Sequence, residues 1–150
     1  MENLTPYLRF NGQCEEALNF YKDCFDGEIT LIVRYSDAPW DVPEEKKNEI
    51  MHSDFKFWAG KIMACDQMEK TDQTANSAES NIHLNLGFTV YEDRMRSTWD
   101  RLKIGGTVTM KLEKQFWGDI FGMLTDKYGI CWMFDCVEKE AEKGPTNDQT

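Results

Sequence analysis

Phe116-Trp117-Gly118-Asp119-Ile120-Phe121-Gly122-Met123-Leu124-Thr125-Asp126-Lys127-Tyr128-Gly129-Ile130-Cys131-Trp132-Met133-Phe134 is the stretch whose reading decides the fold. Two short apolar runs, Ile120 to Thr125 and Ile130 to Phe134, flank a turn that ends in glycine. The pattern predicts an aromatic turn followed by a β-hairpin. A second hairpin pattern lies upstream, where Met51 to Trp58 and Lys61 to Asp66 flank Ala59-Gly60.

Both hairpins are preceded by the same series of elements. In the first series, Thr5 to Phe10 is a short apolar segment, Asn11-Gly12 a turn, and Gln13 to Phe25 a helix. Cys14, Leu18, Tyr21 and Phe25 fall on one face of that helix with Ala17 beside them, while Glu15, Glu16, Lys22 and Asp23 face water. Asp26-Gly27 ends the helix, and Glu28 to Tyr35 reads as a strand. Ser36 to Asn48 carries Pro39, Pro43 and the run Glu44-Glu45-Lys46-Lys47, and is expected to be a solvated, mobile loop in which Trp40 is a candidate lid.

In the second series, His83 to Val90 is a strand and Glu92 to Ile104 a helix with Met95, Trp99 and Leu102 on one face. Gly105-Gly106 ends it, and Thr107 to Leu112 is the following strand. Gly27 superposes on Gly106, an offset of 106 minus 27, or 79. Two βαβββ modules follow, spanning 4–66 and 82–136, with 67–81 a linker and 137–150 a flexible tail.

The fold class is α+β, with curved mixed sheets around a cleft. A single βαβββ sheet has its helix on one face and a bare, partly apolar face opposite, so it cannot stand alone. The two sheets are expected to cover one another and enclose a cleft lined from both halves.

Composition narrows the partners. With 17 Lys plus Arg against 27 Asp plus Glu, the net charge of -10 repels phosphate backbones and excludes nucleic acid. No apolar run approaches the roughly 20 residues that a membrane helix needs, so no membrane partner is expected. Met1-Glu2-Asn3-Leu4-Thr5 lacks the regions of a secretory signal, and a cytoplasmic location is expected. Five cysteines without a CxxC spacing predict reduced, mostly buried thiols.

Tyr7-Leu8-Arg9-Phe10-Asn11-Gly12 followed by Glu15-Glu16-Ala17-Leu18-Asn19-Phe20-Tyr21, the Gly105-Gly106 pair, and Phe116-Trp117-Gly118-Asp119-Ile120-Phe121-Gly122 with Asp126-Lys127-Tyr128-Gly129 and Trp132 carry a family likeness. Over about residues 4 to 136 the chain resembles the vicinal oxygen chelate superfamily of glyoxalases, bleomycin-resistance proteins and extradiol dioxygenases, and within it the PhnB-like branch. It departs from the branch in having Asp126-Lys127-Tyr128-Gly129 where Asp-Pro-Phe-Gly is usual.

The resemblance implies an intermodule cleft, completed in many members by a second subunit, so a homodimer is expected. In the superfamily's enzymes the cleft holds a divalent metal on His and Glu from the first and last strands of each module. Carried over, those positions are Thr5 or Pro6, Met63, Asn85 and Met133, and Pro6, Met63 and Met133 cannot bind a hard divalent ion through their side chains. The implied reading is a protein without cofactor that binds or transforms a small apolar or aromatic molecule. Its ligand-binding candidates are Met63, Asn85, Phe116, Trp117, Phe121, Trp132 and Met133.

Two alternatives stay open. One is a divalent-metal lyase, isomerase or dioxygenase using His52 or His83 with an acidic neighbour such as Asp54. The other is a resistance-type protein that sequesters a cationic drug in an acidic groove. Some branch members carry a ubiquinone-type methyltransferase label, but the sequence has no glycine-rich strand-to-helix turn of the kind that holds a methyl donor.

Overall fold

A computed structural model of the protein describes residues 2–69, 80–89 and 93–137. The first module runs β1 (Tyr7–Phe10), α1 (Cys14–Phe25), β2 (Glu28–Arg34), β3 (Ile50–Phe57) and β4 (Gly60–Asp66). The second runs β5 (Leu84–Phe88), α2 (Asp93–Leu102), β6 (Thr107–Lys114), β7 (Ile120–Thr125) and β8 (Cys131–Cys136). Strand order is β1-β4-β3-β2 in one sheet and β5-β8-β7-β6 in the other. In each sheet the first strand runs parallel to the last and the other pairings are antiparallel. Two mixed four-stranded sheets with one helix apiece are the duplicated α+β architecture anticipated from the repeat.

α1 forms where the apolar spacing puts it. Cys14, Ala17, Leu18, Tyr21, Cys24 and Phe25 are all buried, with Glu15 and Glu16 in the first turn and Lys22 in the last, as the helix dipole favours. Gln13 supplies no side-chain cap. The cap comes from the sheet instead: Asp66 at the end of β4 accepts the Cys14 N–H at 2.9 Å on Oδ1 and the Ile50 N–H at 2.9 Å on Oδ2. One buried carboxylate thus satisfies an orphan donor of the helix and fixes that helix to its sheet.

The two helix ends differ from the simple glycine stop. Asp26, not Gly27, takes the left-handed conformation at the end of α1 (φ 50°), while Gly105 takes it after α2 (φ 74°). Gly27 and Gly106 are glycines for another reason. A Cβ on Gly27 would lie 2.4 Å from the Phe55 ring, and one on Gly106 would lie 2.3 Å from the Thr125 carbonyl oxygen. Each glycine lets the chain enter its sheet against the third strand of its own module, so the offset of 79 aligns two equivalent close approaches.

The segment between β2 and β3 is more structured than its prolines suggest. It holds short 3-10 turns at Tyr35–Asp37 and Glu44–Lys46. Lys46, expected in a solvated charge run, is buried, with its Nζ 2.9 Å from Glu49 Oε2 and 3.4 Å from the Gln67 carbonyl oxygen. Trp40 stands exposed. Val90 and Glu92, most of the expected linker and nearly all of the expected tail lie outside the described residues.

The modules are joined on their helix side. Tyr21 of α1 donates its hydroxyl to Asp126 Oδ2 at 2.6 Å, across the module boundary. The Trp132 ring of β8 lies 5.8 Å from that of Tyr21 and 5.3 Å from that of Phe25, and Phe10 packs edge-on to Tyr128. One apolar core therefore runs through both modules, from Leu8 to Cys136. Mutual cover of the two bare sheet faces, the expectation from the repeat, is not what ties the halves together; the helices and the strand faces beneath them do that.

Candidate functional site

Alternation along the strands sorts side chains between the buried core and the open sheet faces. In the first sheet Leu8, Phe10, Ser53, Phe55, Ile62, Ala64 and Asp66 are buried, while Tyr7, His52, Asp54, Lys61, Met63 and Cys65 alternate with them on the open face. In the second sheet Leu86, Leu124, Trp132, Phe134 and Cys136 are buried, and Asn85, Phe121, Met123, Met133 and Asp135 take the open side.

The open face of the first sheet carries a connected polar chain. The Tyr7 hydroxyl lies 2.9 Å from His52 Nδ1, and His52 Nε2 lies 3.0 Å from Asp54 Oδ1. The second oxygen of Asp54 pairs with Lys61 Nζ at 3.1 Å. A carboxylate can only accept, so Nε2 carries the imidazole proton and Nδ1 accepts the phenol proton of Tyr7. Burial, with Cys65 next to it, pushes the Tyr7 phenol well above its ordinary pKa, which keeps it protonated. Burial also works against the Asp54 charge, but the bonds from Lys61 and His52 outweigh it and hold this carboxyl below its ordinary range. The arrangement fixes the imidazole in one tautomer and orientation, with the phenol held as a hydrogen-bond donor on one side and the carboxylate as acceptor on the other.

A titration follows from this pairing. Asp54 should titrate below an ordinary aspartate, and Lys61→Met should move its midpoint upward, both read by carboxyl-carbon NMR. Because the folded pKa is the lower one, the stabilisation is present above the unfolded pKa and is lost as pH falls through the folded value. At this partly exposed site it should amount to less than about 1 kcal/mol.

The positions that the family resemblance implies for metal ligands lie on paired strands. Met63 pairs with Tyr7, and Met133 pairs with Asn85. Tyr7 stands across from Met63, with Thr5 and Pro6 just before β1 and the Met63 N–H bonded to the Pro6 carbonyl oxygen at 3.0 Å. Of these four side chains, two are thioethers, Tyr7 is a neutral phenol bonded to His52, and Asn85 Nδ2 donates to Asp135 Oδ1 at 2.6 Å. That donor set does not fit a hard divalent ion. Among the described residues, no three His, Cys, Asp or Glu side chains lie together as a metal would require. Both ring nitrogens of His52 are already engaged.

A cavity of about 660 Å³ lies between the modules. Residues 3–6 and the tip of the β3–β4 hairpin line it from the first module; the start of β5 and Trp132 line it from the second. Its volume is in the range that holds a small organic ligand. Of the candidates named from sequence, Asn85, His83 and Trp132 line it, Trp132 from a nearly fully buried position. Met63, Met133 and Phe121 stand half-buried on the open faces. Phe116, 97% exposed, and Trp117, 51% exposed, form the tip of the turn before β7 with their rings edge to face at 4.9 Å. The sequence reading missed Lys56, Phe57 and Lys61 in the cavity wall and Tyr7 in the polar chain. The hairpin tip was legible as a turn, but its contact with β5 spans the two modules and leaves no local signal.

Two βαβββ modules in this arrangement make the glyoxalase-like fold, shared with the glyoxylase/bleomycin resistance protein/dioxygenase domain from Frankia sp. EAN1pec at 12% identity and a TM-score of 0.65, covering 93% of this chain and 94% of that one. Residues 2–134 match the family model described as 3-demethylubiquinone-9 3-methyltransferase, and the chain belongs to that family, the PhnB-like branch of the superfamily. It is 26% identical over 147 residues to protein YjdN of Escherichia coli K12, covering 91% of this chain and 97% of that one. Among solved structures, protein PA1353 from Pseudomonas aeruginosa is 28% identical with a TM-score of 0.74, covering 92% of this chain and 99% of its own. The PhnB protein from Bacillus cereus is 27% identical with a TM-score of 0.72, covering 90% and 99%.

Proposed function

We propose that this PhnB-like protein binds or transforms a small apolar or aromatic molecule in the intermodule cavity, without the superfamily's metal. The observation that carries the reading is the cavity itself, walled from both modules by Phe57, Ile62, Leu84, Leu86 and Trp132. Aromatic and aliphatic walls stack on a planar body and release ordered water. The thioethers of Met63 and Met133, at the positions that need hard donors in the metal enzymes, support the absence of a metal from the chemistry. Five free cysteines suit the reducing cytoplasm in which the protein is proposed to act, and among the described residues no helix is long and apolar enough to cross a membrane. A homodimer belongs to the same reading, with the exposed Phe116-Trp117 turn as an apolar surface for a second copy.

The test is twofold. Protein grown with Mn, Fe, Zn and Ni available and then dialysed against chelator should hold well under one equivalent of metal by elemental analysis. It should still bind a neutral planar probe, 2-naphthamide, with a change in tryptophan fluorescence. Stoichiometric metal that resists the chelator would overturn the metal-free reading in favour of chemistry through His52 or His83. The lysines of the cavity wall weigh against capture of a cationic drug.

A further inference from the structure

The cavity wall has a charge opposite to that of the protein. In a chain of 27 acidic and 17 basic residues, the lining among the described residues includes Lys56, Lys61 and His83 and no aspartate or glutamate. Lys56 and Lys61 stand directly opposite one another in the β3–β4 register. Like charges facing across an antiparallel pair repel, and such a pair is destabilising unless something neutralises it. Asp54 is committed to Lys61 and His52. Glu28 lies opposite Lys56 on β2, yet Lys56 makes no ion pair among the described residues. The lining therefore takes two lysines from directly opposed strand positions, of which Lys61 alone has a carboxylate partner, Asp54, together with the apolar residues Phe57, Leu86 and Trp132.

We infer that the natural ligand is an organic anion, of which an aryl carboxylate is the simplest form, with its charged end at Lys56 and Lys61 and its planar body on the apolar floor. The inference rests on the proposed binding function of this cavity and names the class of molecule it takes. An anion here offsets the repulsion between the two lysines, so its binding is favoured by the fold and not only by the contact.

Three naphthalene probes of equal body separate the claims: 2-naphthoate, neutral 2-naphthamide and cationic 2-naphthylmethylamine, titrated by tryptophan fluorescence and calorimetry at low and high salt. The naphthoate should bind at least about tenfold more tightly than the amide, and the amine least, with the preference shrinking as salt screens it. Lys56→Met should bring naphthoate down to the level of the amide, and Lys56→Arg should retain the preference. Equal binding of acid and amide, or a preference untouched by Lys56→Met, would overturn the anion assignment and leave the cavity reading standing. Failure of all three probes to bind would overturn both. An unchanged thermal midpoint in Lys56→Met separates a lost contact from a lost fold.

Discussion

Replacing Asp126 with alanine should cost the fold about 3–5 kcal/mol, because it leaves several buried donors with no acceptor. Asp126 is buried in the β7–β8 turn and accepts four hydrogen bonds. The Tyr21 hydroxyl at 2.6 Å and Trp132 Nε1 at 2.9 Å reach Oδ2, and the backbone N–H groups of Tyr128 at 2.8 Å and Ile130 at 3.1 Å reach Oδ1. Burial pushes this carboxyl upward in pKa, and the bonds from Tyr21, Trp132, Ile130 and Tyr128 draw it only part of the way back. Tyr21 belongs to the first module and the other three donors to the second, so this residue is a fastening between the halves. Thermal unfolding of Asp126→Ala should drop by on the order of 10 °C for a domain of this size. Tyr21→Phe, which removes one donor and leaves the carboxylate three, should cost much less. A drop of the same size in both variants would locate the effect in the single bond from the Tyr21 hydroxyl and not in the three donors of the second module.

Gly106→Ala should be the next most damaging single change, at about 2–4 kcal/mol, since the new methyl meets backbone and not a movable side chain. Its Cβ would stand 2.3 Å from the Thr125 carbonyl oxygen and 3.0 Å from the Asp126 Cα, so β7 must shift to admit it. Gly105 next to it is the natural control. Its φ of 74° strains an alanine, but the nearest atoms are the side-chain carbons of Lys127 at 3.3 Å, which can move. Gly105→Ala should cost only about 1–2 kcal/mol. Urea midpoints at equal slope measure both. A larger loss at Gly105 than at Gly106 would mean that the helix stop, and not the close approach, is what this pair of glycines serves.

The contrast between these two glycines shows how much of the fold was legible. The repeat, both helices with their buried faces, and both hairpins follow from periodicity and turn chemistry, which are local. A glycine pair after a helix is legible as a stop, yet the sequence does not tell which glycine bends the chain and which makes room for a neighbour. Nor does it show that Asp26 takes the left-handed turn in the first module. Asp66 capping α1 and Lys46 buried beside Glu49 and Gln67 depend on contacts between separate elements, and such contacts have no periodicity of their own.

The site was less legible than the fold for a related reason. Alternation states that Trp132 and Met133 point to opposite faces, but not which face meets a helix. Trp132 proves to be the floor between the core and the cavity, and Met133 stands on the open side. Tyr7 and His52 meet across 45 residues of sequence. Their pairing follows only from the order β1-β4-β3, which places β4 between their strands. The family likeness supplied the strand positions of the metal ligands, and the residues at those positions supplied the reason to expect other chemistry.

The central claim is that the cavity between the modules, and not a metal on the open sheet faces, receives the ligand. A crystal structure of the protein soaked with 2-naphthoate tests it most directly. The naphthalene ring should lie against Phe57, Leu86 and Trp132, with the carboxylate within hydrogen-bond distance of Lys56 Nζ. Naphthoate seated instead on the open faces beside Tyr7, Met63 and Met133, with the cavity empty, would contradict it.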